Sequence, residues 1–416
     1  MMEIMIMPWR ALVSLGLALA IFVGAPFTTQ ATTTLQATGA VAVFDQEYAP
    51  LVRHLVDNAK SQVEVQLYQA RFYGEFPDSN SNLILQSLID AAVRGIEVRV
   101  LVDTGSWNPG NKNEHNLDFV DRMTTAGIQV WEDSPDVVSH QKVVTVDGNL
   151  SLIASTNWTF FSTDRNHEAA VLLEGPEVAD YFRAKFWRHA SAGSPRSNAQ
   201  AITESQALEL AAQPAGARGK LSLSDLKDLP RQPESVQEVI AADNRFFYPV
   251  VRDAILGAQS QIRVVQRSIR METRAGVDAL PGQPASAINA FVEMLVAAAQ
   301  RGVEVKTVLD RTTGFESADN DQSALVLRKG GVTVVEDDPD QQTHAKFIVV
   351  DSDQVIVGST NWTRPAVERG NEASVLVRSE GLTRVVMDYI ERIVARGGPY
   401  TVEAPTTSVW SSLGRE

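Results

Sequence analysis

The chain has 416 residues, 44% of them hydrophobic, enough for two ordinary domains with full cores. It contains no cysteine, which excludes a disulfide framework, a thiolate metal site and a cysteine nucleophile. A formal net charge of −14 weighs lightly against a protein that grips nucleic acid through many phosphates, although it says nothing of local patches.

Arg10 precedes an apolar run from Ala11 to Phe27, and Thr29-Gln30-Ala31 places small residues where an export peptidase reads them. Residues 1–31 therefore read as a secretory signal, with an uncleaved anchor as the alternative because the run is only just shorter than a spanning helix. Either way the remainder is expected outside a cytoplasmic membrane, secreted or periplasmic. Short β-rich runs then alternate with helical-period runs. The expected order is strand 63–69, helix 82–94, strand 97–103, helix 116–125, strand 128–132, a hairpin, strand 168–174 and helix 176–190. This order predicts a mixed α/β fold, an α-β-α sandwich with helices on both faces of the sheet.

The hairpin region, "SHQKVVTVDGNLSLIASTN" from Ser139 to Asn157, returns as "THAKFIVVDSDQVIVGSTN" from Thr343 to Asn361. His140, Lys142, Asp147, Ser155 and Asn157 recur as His344, Lys346, Asp351, Ser359 and Asn361, each displaced by 204 positions. "RGIEVRVLVD" from Arg94 resembles "RGVEVKTVLD" from Arg301, and "AKSQVEVQ" from Ala59 resembles "AQSQIRVV" from Ala258. The chain is thus expected to hold two copies of one domain, residues 38–192 and 236–400. A linker rich in Ala, Ser, Gln, Gly and Pro over 193–235, with a helical turn or two, would join them, and 401–416 would form a tail.

His140 and Lys142 share one strand face by parity, while Asp147 falls on the other. If Gly148-Asn149 form the turn, Lys142 opposes Ser155 and His140 opposes Asn157; Ser352-Asp353 would give the same pairing in the second copy. One patch per copy then gathers His, Lys, Ser and Asn. Lysine supplies charge for a phosphate, with Ser155, Ser359, Asn157 and Asn361 as neutral donors. Two patches facing across a pseudo-twofold axis would put one histidine on each side of a phosphodiester. Glu168 and Glu372 keep the same offset and suit a carboxylate that holds an imidazole. Asp147 and Asp351 read as structural, ordering a loop or holding a backbone group.

A single surface histidine is usually only polar, and His54, His115, His167 and His189 are read so. After His189 the chain has one histidine, His344, at the repeated position, and that coincidence favours function. Trp158 and Trp362 read as packing residues, and the glycosylation sequons at Asn157 and Asn361 are discounted. The acidic run Glu336 to Gln342 fits no calcium loop and reads as a solvated connection. No metal and no cofactor is called for.

H-x-K-x4-D followed by a G-S-x-N-like element, present twice, resembles the phospholipase D superfamily; Ala154 replaces the glycine in the first copy, while Gly358-Ser359-Thr360-Asn361 keeps it. The resemblance implies tandem phospholipase D-like domains and a metal-independent phosphodiesterase. One histidine would form a covalent phosphohistidine, and the other would protonate the leaving alcohol and then activate water. His140 is carried over as nucleophile and His344 as acid, with Lys142, Lys346 and the asparagines as phosphate ligands. Phospholipid ranks first as substrate. A nuclease is the close alternative, ahead of a cardiolipin synthase-like phosphatidyl transferase and a silent binding module. The expected molecule is a monomer with a pseudo-dimeric core that contacts a membrane surface. Substrate choice is expected in the loops Tyr73–Asn82, Thr104–Asn116, Met271–Ala285 and Arg311–Gln322, with Trp107, Leu280 and Phe315 meeting lipid.

Overall fold

A computed structural model describes residues 32–105, 114–213, 219–272, 286–311 and 314–402. Residues 1–31, expected above to be a signal or anchor, Trp107, Leu280, the Phe315 side chain and the chain beyond residue 402 lie outside them. Among the described residues no helix is long and apolar enough to cross a membrane.

The first repeat forms an eight-stranded mixed sheet in the order Gly39–Phe44, Ala169–Glu174, Leu150–Ala154, Lys142–Val146, Gln62–Leu67, Glu97–Val102, Gln129–Glu132 and Ser194–Pro195. The second forms a nine-stranded sheet in the same order, from Glu238–Ala241 to Gly398–Pro399. Its extra edge strand is Thr34–Leu35, which precedes the first repeat in sequence and pairs antiparallel with Glu238–Ala241. The expected strands and helices of the first copy are all present, with ends within two residues of the predicted ones.

Within each sheet the three neighbouring strands that start from Gln62 or Gln261 run parallel, so each connection must cross over through a helix. Asn80–Val93 is the first of these helices. It starts where the Ser79 hydroxyl accepts from the Asn82 N–H, and it buries Ile84, Leu85 and Leu88 at helical spacing. It ends before Gly95, whose φ of 82° is the left-handed conformation that glycine adopts without penalty. Burial of each such apolar side chain contributes roughly 1.5–3 kcal/mol.

One apolar core runs between the two sheets. Val143, Ile153 and Val171 of the first pack in the same cluster as Val349, Val355 and Val375 of the second, with Phe182 and Ile390 from the closing helices. The described residues form one compact unit. The segment between the repeats is sewn onto the first of them. Its helix Glu204–Ala212 packs on helix Pro176–Ala192 through Ala207, and Leu221, Leu223 and Leu226 enter the first core.

The hairpin register differs from the expected one. Val146 pairs with Leu150 and Val143 with Ile153, and in the second copy Val350 pairs with Gln354. The turn therefore has three residues, Asp147-Gly148-Asn149 or Asp351-Ser352-Asp353. Asp147 and Asp351 adopt left-handed φ values of 54° and 53°, a conformation aspartate tolerates better than most residues. The extra turn residue shifts the pairing by one, so Lys142 does not oppose Ser155. The motif residues meet at the strand ends instead of on a sheet face: His140 precedes one strand, and Ser155 and Asn157 follow the next.

Candidate active site

The two repeats are joined by backbone hydrogen bonds at these strand ends. The His140 N–H donates to the Asn371 carbonyl at 2.8 Å, and the His344 N–H donates to the His167 carbonyl at 2.8 Å. Each bond sets a motif histidine beside the glutamate that follows its partner in the other repeat. His140 Nδ1 lies 3.0 Å from Glu372 Oε2, and His344 Nδ1 lies 3.0 Å from Glu168 Oε2. The histidine–glutamate pairs are therefore crossed, which makes one site out of two copies.

A carboxylate can only accept, so in each pair Nδ1 carries the hydrogen and Nε2 keeps its lone pair. The glutamates are themselves held. Asp45 accepts from the Glu168 N–H at 2.9 Å, and Asn244 Oδ1 accepts from the Glu372 N–H at 2.7 Å. Ser155 and Ser359 donate their hydroxyl hydrogens to Glu168 and Glu372 and accept from the N–H groups of Ala169 and Ala373, both at 2.9 Å. A hydroxyl has one hydrogen, and here it is spent on the carboxylate. The expectation that these serines donate to a phosphate is corrected accordingly: they position the glutamates.

Lys142 Nζ donates to the His140 carbonyl at 2.5 Å, and Lys346 Nζ donates to the His344 carbonyl. Both lysines are buried. Burial pushes Lys142 well below the usual lysine range, while Glu372 pulls it up. The side-chain oxygens of Asn157 and Asn361 are buried and accept no hydrogen bond among the described residues. Burial pushes the His140 imidazole down to about 4 against the pull of Glu372, with Lys142 lowering it further. Burial also takes His344 well below its ordinary value, helped by the charges of Lys346, Arg267 and Lys142. Both imidazoles are thus neutral in the free site at neutral pH.

Two residues of the site escaped sequence reasoning. The Tyr68 ring stands edge-on to the His140 ring at 4.8 Å and takes the Lys142 ammonium at 4.9 Å from its centre. Burial, followed by the Asp103 charge, pushes its phenol up to about 12. The matching place in the second copy holds Arg267, whose charge reaches both His344 and Tyr68. Aligning "AKSQVEVQ" with "AQSQIRVV" and continuing two residues brings these two positions into register, and that was the available signal.

A carboxyl pair backs each histidine. Asp103 Oδ2 accepts from the Ser139 N–H at 2.8 Å, and Asp337 Oδ2 accepts from the Thr343 N–H at 2.9 Å. Burial and the neighbouring Asp103 or Asp310 push Asp133 and Asp337 up to about 8. Asp337 is buried, which corrects its reading as part of a solvated connection. His167 and His189 are buried as well, not surface residues, and bond to Asp45 and Gln141. Trp158 and Trp362 are fully buried in the two cores, as expected of packing residues.

Asp147 and Asp351 lie at the far end of the hairpins from the histidines. Asp147 accepts from the N–H groups of Lys60, Ser61, Gln62 and Leu221 at 2.7–3.1 Å and from the Ser61 hydroxyl at 2.9 Å. Asp351 accepts from Gln259, Ser260 and Gln261 in the same manner. Asp147→Asn is expected to cost about 3 kcal/mol, since a buried carboxylate accepting several N–H groups loses its charge-assisted bonds. Thermal unfolding should show a melting temperature lower by roughly 5 °C, with turnover per folded molecule within a factor of about two.

Paired mixed sheets whose strand ends bring two imidazoles, two lysines and two crossed glutamates into one site define the chain as a member of the phospholipase D superfamily, with an α/β fold of two tandem phospholipase D-like domains. The family model described as cardiolipin synthase, PLD-like domain, matches residues 52–190 and 251–394, more than half the chain, and the chain belongs to that family. Human mitochondrial cardiolipin hydrolase is 33% identical over 111 residues, covering 26% of this chain and 43% of that protein. A phospholipase D of Rickettsia bellii is 30% identical over 103 residues, 25% of this chain and 48% of the relative. Each alignment thus spans under half of the relative's own length. Phosphatidylserine synthase of Haemophilus influenzae Rd KW20 shares the fold, with a TM-score of 0.59 at 14% identity over 88% of both chains.

Proposed function

We propose that the protein is an exported phosphodiesterase that cleaves the phosphodiester of phospholipids through a phosphohistidine. The observation that carries this reading is the crossed pairing of His140 with Glu372 and His344 with Glu168. His140 Nε2 attacks phosphorus, a P–N bond forms, and the bond to the leaving alcohol oxygen breaks. His344 enters this step in its protonated fraction, with a second hydrogen on Nε2, and gives that hydrogen to the oxygen. In the second step neutral His344 takes a proton from water, the hydroxide oxygen bonds to phosphorus, and the P–N bond breaks to release the phosphate product. Lys142 and Lys346 offset charge on the five-coordinate transition state, with Asn157 and Asn361 as neutral ligands. Because both copies supply the site, a single chain suffices, and the working form is a monomer with a pseudo-dimeric core.

The relatives named as cardiolipin hydrolase and phospholipase D support a lipid substrate. Purified mature chain should release soluble headgroup from phospholipid vesicles much faster than it cuts single-stranded DNA or RNA. Efficient nucleic-acid cleavage that falls steeply with added salt, through counterion release, would replace lipid by nucleic acid and keep the two-histidine chemistry. The lysines supply the charge that a metal would otherwise bring, so hydrolysis of a soluble diester is expected to survive EDTA. A total loss that added metal restores would overturn the mechanism.

The pH dependence follows from the two imidazoles. The acid must hold a proton, and burial with three nearby cations drives that proton off His344 well below the ordinary histidine range. The nucleophile must be neutral, and His140 stays so down to about 4. As pH falls from about 8 to about 5, the protonated fraction of His344 rises while His140 is unchanged, so kcat/KM on a soluble diester should climb. A profile that instead falls on acidification through this range would contradict the assignment.

A further inference from the structure

Beside the site, the loops that follow strands Gln62–Leu67 and Leu150–Ala154 are tied together. The Trp158 N–H donates to the Gln69 carbonyl and the Arg71 N–H to the Trp158 carbonyl, both at 2.9 Å. Gln69 follows Tyr68, whose ring meets His140, and Trp158 follows Asn157. What these loops present next is therefore contiguous with the catalytic cleft. It is a groove of about 410 Å3 lined by Tyr73, Phe76, Phe160 and Phe161 with Arg71 at its edge.

The rings are fixed in place and yet face water. The Phe160 N–H donates to the Tyr73 hydroxyl at 3.0 Å, and the Phe160 and Phe161 rings stand 5.6 Å apart. Phe76 is 60% exposed and Phe161 66% exposed, and among the described residues these are the only aromatic side chains so far out of the core. The guanidinium of Arg71 lies 5.1 Å from the Tyr73 ring centre and that of Arg165 lies 5.6 Å from the Phe160 ring centre. Aromatic rings flanked by arginine are what a protein presents to the boundary between lipid headgroups and acyl chains. The second repeat lacks the feature: the places of Tyr73, Phe160 and Phe161 hold Glu272, Arg364 and Pro365. A symmetric structural need would have kept the rings in both copies.

We infer that this aromatic edge of the first repeat docks the protein on a phospholipid bilayer, with Phe76 and Phe161 entering the headgroup–acyl boundary so that the adjoining cleft faces the lipid surface. The inference rests on the phospholipid reading above and assigns that reading its membrane contact. Burial of the rings drives the contact, because Glu75 and Asp78 lie in the same loop as Arg71 and the chain carries a net charge of −14. Binding should therefore occur on uncharged phosphatidylcholine vesicles and resist salt.

The test compares the full mature chain with the double variant Phe76→Ser, Phe161→Ser and with Leu208→Ser, an equally exposed apolar residue on the helix between the repeats. Three quantities are measured: co-sedimentation with phosphatidylcholine vesicles, headgroup release from those vesicles, and turnover of a water-soluble phosphodiester. In the double variant vesicle binding and vesicle hydrolysis should fall together, on the order of 100-fold, as expected for two rings kept out of the lipid. Soluble turnover should stay within a factor of about two, and Leu208→Ser should match the natural chain in all three. Unchanged vesicle binding in the double variant, or no binding by the natural chain, overturns the docking surface even where headgroup is released from monomeric short-chain phospholipid. Ring-dependent vesicle binding without headgroup release keeps the docking surface and overturns the lipid hydrolase reading. Loss of single-stranded DNA binding in the double variant, with vesicles ignored by both forms, makes the rings a base-stacking platform and overturns the inference.

Discussion

His140→Ala and His344→Ala are each expected to lower turnover of any phosphodiester by on the order of 10^4-fold or more, and the double variant to lose little beyond either single one. The reason is that both imidazoles serve one phosphorus, one forming the bond and the other protonating the leaving oxygen, so removing either stops the same first step. The crossed hydrogen bonds of His140 to Glu372 and of His344 to Glu168 tie each imidazole to the opposite repeat, which leaves neither copy with a complete set of its own. Circular dichroism should show both variants folded, because neither histidine is a core apolar residue. Retention of about half the activity in each single variant would mean two independent sites.

Exchanging the glutamates one at a time should then separate the two chemical roles. An amide offers its NH2 to Nδ1 where the carboxylate accepted, which favours the tautomer with hydrogen on Nε2 and removes the lone pair that attacks. Glu372→Gln should therefore slow phosphohistidine formation on every substrate by about 10^2- to 10^4-fold. Glu168→Gln acts on His344, and its effect should depend on the leaving group. With an alkyl alcohol, which needs a proton, the loss should be similar; with p-nitrophenolate, which leaves unprotonated, the first step should be largely spared. Rapid quenching of labelled phosphoenzyme reads that step directly. If Glu372→Gln were the variant sensitive to the leaving group, the nucleophile and the acid would be exchanged between His140 and His344, with the crossed geometry intact.

The repeat, the alternation of strands and helices and the two H-x-K-x4-D motifs could be read from the sequence because each rests on local rules. Periodicity reports which side chains must leave water, and a constant spacing of 204 between matching residues reports duplication. The structural part of Asp147 followed from the same local reasoning, since a turn aspartate has backbone N–H groups within reach. The hairpin register did not follow, because a left-handed aspartate adds one residue to the turn and moves every opposed pair, and no propensity separates a two-residue turn from a three-residue one at Asp-Gly-Asn. Tertiary structure alone decided which glutamate serves which histidine. Glu168 is 28 residues from His140 and 176 from His344, yet it bonds the distant one, because the His344 N–H is taken by the carbonyl of His167. It also decided the fate of the serines, expected on a phosphate, whose single hydroxyl hydrogen goes instead to the glutamate that holds a histidine. Duplication makes the two halves alike; only their packing across the twofold, where a strand end of one meets the loop of the other, turns two incomplete sets of side chains into one site.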